Sequence, residues 1–491
     1  MATAPSPPSS HVGTALKEKV LSTPEVLAQS VANMAPSAAM ALLPLLVFMS
    51  AGNALWLSFV LGLAVLLIVG YCAAQFATRI NSAGSFYVWV TRALGPGAGS
   101  AAGWGLVLGY LFTGIATVIG FEIYADNFLT GFGISSPDNH VVRTILYLVG
   151  GLGPAVMSVM DIRISQRTAF ILETVSVGII LILCVATWVH NGTVLDTDEL
   201  SLKGFAPGGM VVGIVLAIFA FVGFESAGAL GQEARNPARS VPRAILWSCG
   251  VVGLFYLIVS YTQLAGFGDG GFGKATAPLP QLASVAGLGW LGHFIAFGIT
   301  CSMFACCLAC LTAGSRMLLS LGRDGLLPGV FTRTSRKTRA PSVAIWTVTV
   351  PMIVIPVSFV AAGSTDTVLT GEEGTMATYG FMLAYALVSL AAPVYLKKIG
   401  TPKPLAWVLG IGGLAVMAFV FYVNWIPQAI PNGVFPALAW PYSALPYVFI
   451  AWTAVGAAWY LAVRLRKPEV VAGAASWGEA AGETPAAVLA E

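Results

Sequence analysis

Charge is what this chain has least of. Asp, Glu, Lys and Arg make up 9% of its 491 residues, where soluble globular domains carry roughly 25%. That deficit excludes one large soluble enzyme. A chain that is 57% hydrophobic with a net charge of +3 is not a disordered polymer either. Its 24 Lys and Arg, spread along the whole length, build no dense basic face, so nucleic acid is not an expected partner. The four histidines are His11, near the N-terminus, and His140, His190 and His293, at or near the ends of apolar runs. They form no metal cluster. No GxxxxGK[ST] phosphate loop occurs. Residues 1–24 hold no apolar segment of the kind a secretory signal needs.

What the chain has instead is long apolar runs. A membrane-crossing helix needs about 20 mostly apolar residues. Twelve runs meet that length: Val26–Ser50, Ala54–Ala77, Gly97–Ala125, Val141–Met160, Ser165–Val189, Gly208–Gly231, Pro242–Phe267, Leu288–Ser320, Pro341–Ala362, Met376–Leu396, Ala406–Trp425 and Leu445–Val463. Only helices and closed barrels satisfy every backbone group in lipid, and these runs are too long for barrel strands. The fold expected is therefore an all-α integral membrane protein, with the lipid bilayer as its surroundings. With the N-terminus inside, every Lys and Arg except Arg143, Lys203 and Lys274 falls on the cytoplasmic side. This places both termini in the cytoplasm. Residues 1–25 and 464–491 read as cytoplasmic tails, the first of them disordered, flanking a twelve-helix domain over 26–463.

Several short motifs carry little. All seven cysteines (Cys72, Cys184, Cys249, Cys301, Cys306, Cys307 and Cys310) lie in apolar runs. The CxxC of Cys307 and Cys310 has no second ligand pair, so it reads as packing residues. Gly266–Gly271 reads GFGDGG but follows a membrane run, not a strand, and reads as an outer turn. Asn191-Gly192-Thr193 is a glycosylation sequon in an outer loop.

Two runs are interrupted. The first contains Asn33-Met34-Ala35-Pro36-Ser37-Ala38-Ala39-Met40, where Pro36 lacks a backbone donor and clashes with the preceding turn. A simple kink and a ligand-binding break are both consistent with it. The sixth contains Phe219-Ala220-Phe221-Val222-Gly223-Phe224-Glu225-Ser226, with a carboxylate in mid-membrane. Such a residue costs about 2.5–3.5 kcal/mol on insertion scales and is a functional candidate. A five-plus-five inverted repeat, about 26–190 and 208–398 with two further helices over 404–463, would make the two breaks equivalent. Exposed amides at one helix end attract a carboxylate; free carbonyls and Glu225 at the other attract a cation. Together they suit a zwitterion or an amine. Glu173, nine residues into the fifth run, and Glu122, near the outer end of the third, are the other carboxylates within the runs.

The stretch Phe219–Gly223-Phe224-Glu225-Ser226, then Gly231-Gln232-Glu233-Ala234-Arg235-Asn236-Pro237, then Val241-Pro242-Arg243-Ala244, resembles the sixth-to-seventh-helix signature of the amino acid–polyamine–organocation (APC) superfamily. Ser82–Tyr87 with Ala93–Pro96, and Ser315-Arg316 with Gly322–Pro328, are similar to further family motifs. The resemblance implies substrate held between the first and sixth helices. Pro36, Ser37, Ala38 and Ala39, following Ala35, would bind its carboxylate. Val222, Gly223 and Glu225, with Phe224 and Ser226 beside them, would face its amine or side chain, and Phe219 would close over it. Glu233 with Arg235 and Arg243 would form a cytoplasmic gate. Two positions depart from the family pattern. Pro36-Ser37-Ala38-Ala39 replaces a glycine-rich run, and Ser176 stands near a lysine found in one branch. Coupling to H+ or Na+ would then fall to Glu122, Glu173, Ser176, Glu225 or Ser302.

The function expected is a secondary transporter of amino acids or related amines in the plasma membrane. It would work by alternating access, driven by an ion gradient or exchange, without cofactor, metal or catalytic residues. A polyamine or organic-cation carrier is the alternative. An intramembrane enzyme would need paired aspartates or zinc ligands, and a transporter-like sensor would need a signalling domain. The sequence offers neither.

Overall fold

In a computed structural model, residues 16–134, 140–195, 200, 202, 207–268, 271–275, 277–361, 366–425, 440 and 442–474 are described. Among them the chain is helical, with one isolated parallel bridge, Leu21 to Ala234, and no strand. The helices are α1 (Thr23–Met34), α2 (Pro36–Ala51), α3 (Leu55–Ala77), α4 (Ser85–Leu94), α5 (Pro96–Thr130), α6 (His140–Val159), α7 (Ile162–Asn191), α8 (Pro207–Ala220), α9 (Pro237–Phe267), α10 (Pro278–Val285), α11 (Leu291–Arg323), α12 (Ser342–Ala361), α13 (Asp366–Lys398), α14 (Pro404–Trp425), α15 (Leu445–Arg466) and α16 (Pro468–Gly473).

Eleven stretches among the described residues are long and apolar enough to cross a membrane. The first, Thr23–Ala77, has 55 residues, about 80 Å of helix against a hydrocarbon core of about 30 Å. It holds two of the runs read from the sequence, joined by a turn at Gly52. The molecule is thus an integral, multi-pass membrane protein, and its many exposed Leu, Val, Ile and Phe side chains face a solvent that is itself apolar.

The longest helices form the centre. α5 packs along both α11 and α13, and its glycines allow close approach: Gly105 and Gly380 meet backbone to backbone. Against this group lie α1 with the short 3₁₀ segment Phe224–Leu230, α2 with α8, and α3 with α9. α7 bridges α1, α9 and α11. The Ser82–Tyr87 motif lies outside the apolar runs. It leads into α4, whose Phe86, Tyr87, Trp89 and Val90 are all buried.

Ordered chain begins before the first apolar run. The amides of Val20 and Leu21 donate to the Glu233 carbonyl (2.8 and 2.9 Å), and the Arg235 amide donates to the Leu21 carbonyl (2.9 Å). Leu16 and Leu21 are buried. Residues 16–25, assigned to a disordered tail on composition, therefore lie as a strap along the connection after the sixth run. Long-range pairing supplies the order that composition could not reveal. At the other end α15 and α16 carry helix to Gly473, into the stretch read as the C-terminal tail. Residues 1–15 and 475–491 lie outside the described residues.

Asp161 ties the strap to the body. It caps α7 by accepting from the Arg163 amide (3.0 Å) and pairs with the Lys17 ammonium. The Lys17 bond, the largest influence, holds its carboxyl below the ordinary carboxylate range; burial, next in size, opposes it, and the Arg163 amide and the two positive charges add to the lowering. A carboxyl depressed on folding stabilises above its unfolded pKa of about 3.9, and that contribution fades as pH falls through the folded value. Asp161→Asn keeps a capping side chain but removes the charge. Thermal melts in detergent should give a lower Tm for the variant near pH 6 and a smaller gap below about pH 4. A gap that does not change with pH contradicts this account.

Candidate functional site

The first break follows from Pro36. The residue before a proline is pushed out of the right-handed helical region, and Ala35 sits left-handed at φ 44°, ψ 61°. That conformation costs an L-residue about 1–2 kcal/mol. α1 stops at Met34 and α2 starts at Pro36, restarted by the Ala39 amide donating to the Ala35 carbonyl (2.9 Å). The first-turn amides of α2 have no intrahelical acceptor. Among the described residues none other is recorded for Ser37 or Ala38, and the buried Ser37 hydroxyl has no partner. The first turn of α2, at the positive end of a helix dipole, thus carries three donors without acceptors.

The second break follows from Gly223. α8 ends at Ala220, and Gly223 turns the chain at φ 99° into the 3₁₀ segment. A Cβ at this position would sit 2.4 Å from the Asn33 amide nitrogen, so shape and backbone both demand glycine. Glu225 follows, fully buried. Its carboxylate accepts from the Tyr110 hydroxyl of α5 (2.9 Å), from the Tyr385 hydroxyl of α13, and from the Gly223 amide (3.2 Å). All three are protein donors, two of them on the central helices. Glu225 therefore fastens the second break to the core of the bundle.

The two breaks are joined directly. The Ser30 hydroxyl donates to the Phe224 carbonyl (2.6 Å), the Ser226 hydroxyl to the Gln29 carbonyl (3.2 Å), and the Asn33 side-chain amide to the Gly223 carbonyl (3.4 Å). The Tyr256 hydroxyl of α9 lies 3.0 Å from the Met34 carbonyl and 2.7 Å from that of Ala220. Its single proton serves one of these helix-end carbonyls at a time. Of the other expected site residues, Ala35, Pro36, Ala38, Val222 and Phe224 are buried at this join, and Ala39 and Phe219 are half-buried. The Phe219 ring abuts Gly374 of α13.

The remaining expected residues divide. Glu173 on α7 and Ser302 on α11 meet, with the Ser302 hydroxyl donating at 2.9 and 3.2 Å to the two carboxylate oxygens. The buried Ser176 hydroxyl has no partner, so it is not bonded to Ser302. Glu122 is buried and accepts from Arg143 (3.0 Å), an ion pair across α5 and α6. Glu233 is buried too, but its partner is not Arg235 or Arg243, both of which are exposed. Arg316 of α11 grips it with Nε (2.5 Å) and Nη2 (2.7 Å) and also donates to the Thr312 carbonyl. The expected pairing is corrected accordingly: Arg235 and Arg243, near Glu233 in sequence, are exposed, and an arginine 83 residues on makes the bidentate contact.

Sequence reasoning missed Tyr110, Tyr256 and Tyr385 because a tyrosine in an apolar run looks like any core aromatic. It also missed Glu373. The tenth run was started at Met376, but α13 begins at Asp366, and this leaves Glu373 buried with Oε2 unpartnered, beside the Phe219–Gly374 contact. The one available signal was two adjacent glutamates just ahead of an apolar run.

Comparison with known proteins adds a family. The model of a family described as amino acid permease matches residues 21–454. A branched-chain amino acid permease, BcaP, of Bacillus subtilis (strain 168) is 25% identical over 392 residues, 76% of this chain and 81% of that protein. A methylthioribose transporter of the same organism is 24% identical over 71% of this chain and 75% of its own length. The human cationic amino acid transporter 4 is 27% identical over 59% of this chain and 47% of its own length.

The arginine assignment is open to direct test. Removing one partner of a buried ion pair costs about 3–5 kcal/mol, whereas exposed substitutions stay within about 0.5 kcal/mol. Arg316→Met should therefore lower the melting temperature in detergent far more than Arg235→Ala or Arg243→Ala. Equal losses in all three would refute the pairing.

Proposed function

This chain belongs to the amino acid permease family, and on that premise we propose that it carries amino acids with neutral, apolar side chains across the plasma membrane by alternating access. The observation that carries the reading is the junction of the two broken helices. There the Ser37 and Ala38 amides and the Ser37 hydroxyl lack acceptors, as a substrate carboxylate requires. The Met34 and Ala220 carbonyls share a single hydroxyl, which leaves acceptor capacity for an ammonium.

The side-chain preference follows from charge. Glu122 is matched by Arg143, and Glu225 is occupied by two tyrosines and an amide. Neither carboxylate is left for a cationic substrate, while Ala38, Val222 and Phe219 offer apolar surface. A polyamine or organic-cation carrier is thus the less favoured form. Among the relatives above, the branched-chain amino acid permease, matched over 76% of this chain, agrees with this preference, whereas the cationic amino acid transporter, matched over 59%, does not.

The architecture that goes with this reading is twelve crossings, α1–α2 and α8 with its 3₁₀ segment each forming one broken span. They are arranged as a five-plus-five inverted repeat with two added helices and both termini in the cytoplasm. Uptake is driven by protons in this proposal. Glu173 is buried, with the Ser302 hydroxyl on its carboxylate, and a carboxyl within the membrane is a natural proton carrier. Glu233 and Arg316 form the cytoplasmic closure. Phe219, against Gly374, forms the opposite one.

Purified protein in liposomes tests the scheme. Labelled leucine should enter saturably under an inward proton gradient and not under a sodium gradient alone. Ser37→Ala, which removes one hydrogen bond to a charged group, should weaken apparent leucine affinity by about tenfold or more. Glu173→Gln should abolish the effect of the proton gradient while leaving exchange of internal for external leucine. Wild-type behaviour in both variants would remove these residues from the mechanism. Uptake of labelled lysine or spermidine in preference to leucine would overturn the substrate class.

A further inference from the structure

Beyond substrate and coupling ion, the back of the first helix break holds a thiol pair. Cys306 and Cys310 stand one turn apart on α11, at positions whose side chains are neighbours on one helix face. Both are fully buried. The Cys306 thiol donates to the Asn33 carbonyl (3.3 Å) and the Cys310 thiol to the Asn33 side-chain oxygen (3.0 Å). Both thiols thus converge on one residue, Asn33. Cys307, between them in sequence, is buried too but is not one of the thiols bonded to Asn33. Asn33 is the last residue but one of α1, and its side chain also bonds the Gly223 carbonyl (3.4 Å). The thiols therefore close on the joint between both breaks.

We propose that Cys306 and Cys310 form a two-thiol binding site for trivalent organoarsenicals, masked by Asn33 and unmasked when α1 draws away from α11. Sulfur ligands select soft acceptors, and two sulfurs on adjacent helix turns suit a centre that takes exactly two bonds. With an aryl arsenic oxide the step balances without any oxidant. Two As–S bonds form, both S–H bonds break, and the two protons leave with the oxide oxygen as one water; arsenic stays trivalent. Occupation pushes the thiols' hydrogen bonds off Asn33 and wedges the joint open. The unmasking clause rests on the alternating-access reading; the two-thiol site does not.

Phenylarsine oxide is the probe and intact mass the readout. The wild-type protein should gain one phenylarsenic group and lose two titratable thiols, reversibly with 2,3-dimercaptopropanol. Cys306→Ser and Cys310→Ser should each lose the adduct, while Cys307→Ser should keep it; native melting curves in detergent verify that the variants are folded. An adduct that survives both Cys306→Ser and Cys310→Ser, or that vanishes in Cys307→Ser, overturns the site. Saturating leucine should slow adduct formation in the wild type. If leucine enters liposomes but leaves labelling unchanged, the site stands and its link to α1 movement fails. If leucine is not transported, the proposed function fails and the mass result still decides the thiol site.

Discussion

A helix that ends inside a membrane leaves amides and carbonyls that water cannot reach. This chain does so twice, at Met34–Pro36 and at Ala220–Gly223, and the surrounding structure answers those ends. The Tyr256 hydroxyl sits between two orphan carbonyls, the Cys306 thiol takes a third, and the Glu225 carboxylate takes the Gly223 amide. What is left over, on the α2 side, is a set of donors. The binding site proposed here is therefore the unbalanced remainder of a backbone constraint rather than a pocket added to a finished fold.

The scarcity of charge acquires meaning at the same place. In a medium that penalises bare charges, most buried carboxylates of this chain have partners. Arg143 meets Glu122, Arg316 meets Glu233, two tyrosines meet Glu225 and a serine meets Glu173. These partners fall into two kinds. Arginines neutralise Glu122 and Glu233, whereas Glu225 and Glu173 take only neutral hydroxyl or amide donors. Glu225 lies at the second helix break itself, and Glu173 lies between α7 and α11.

Local chemistry was legible in the sequence and distant pairing was not. Pro36 and Gly223 announce their breaks because each acts on its own backbone, and Glu225 stands out because carboxylates are rare in apolar runs. Pro36 bars Ala35 from the right-handed helical region, but the left-handed setting that Ala35 adopts is not the extended one a following proline favours. Arg316 could not be matched to Glu233 from spacing, since the contact spans two helices. Nor could Tyr385 be told from a packing aromatic, or residues 16–22 from a tail, before the partners' positions were known. Glu373 was lost to a boundary error, because glycine and glutamate at a helix start look like the end of a span when only hydropathy is followed.

The central claim is that the two helix ends act as one receptor. Hydrogen–deuterium exchange of the purified protein, followed by mass spectrometry on peptides covering residues 33–40 and 219–227, tests it most directly. Saturating leucine should slow exchange in both peptides together, with the Ser37 and Ala38 amides among the protected positions. Protection of one peptide without the other, or of neither under conditions where leucine is transported, would contradict a shared site at the joint.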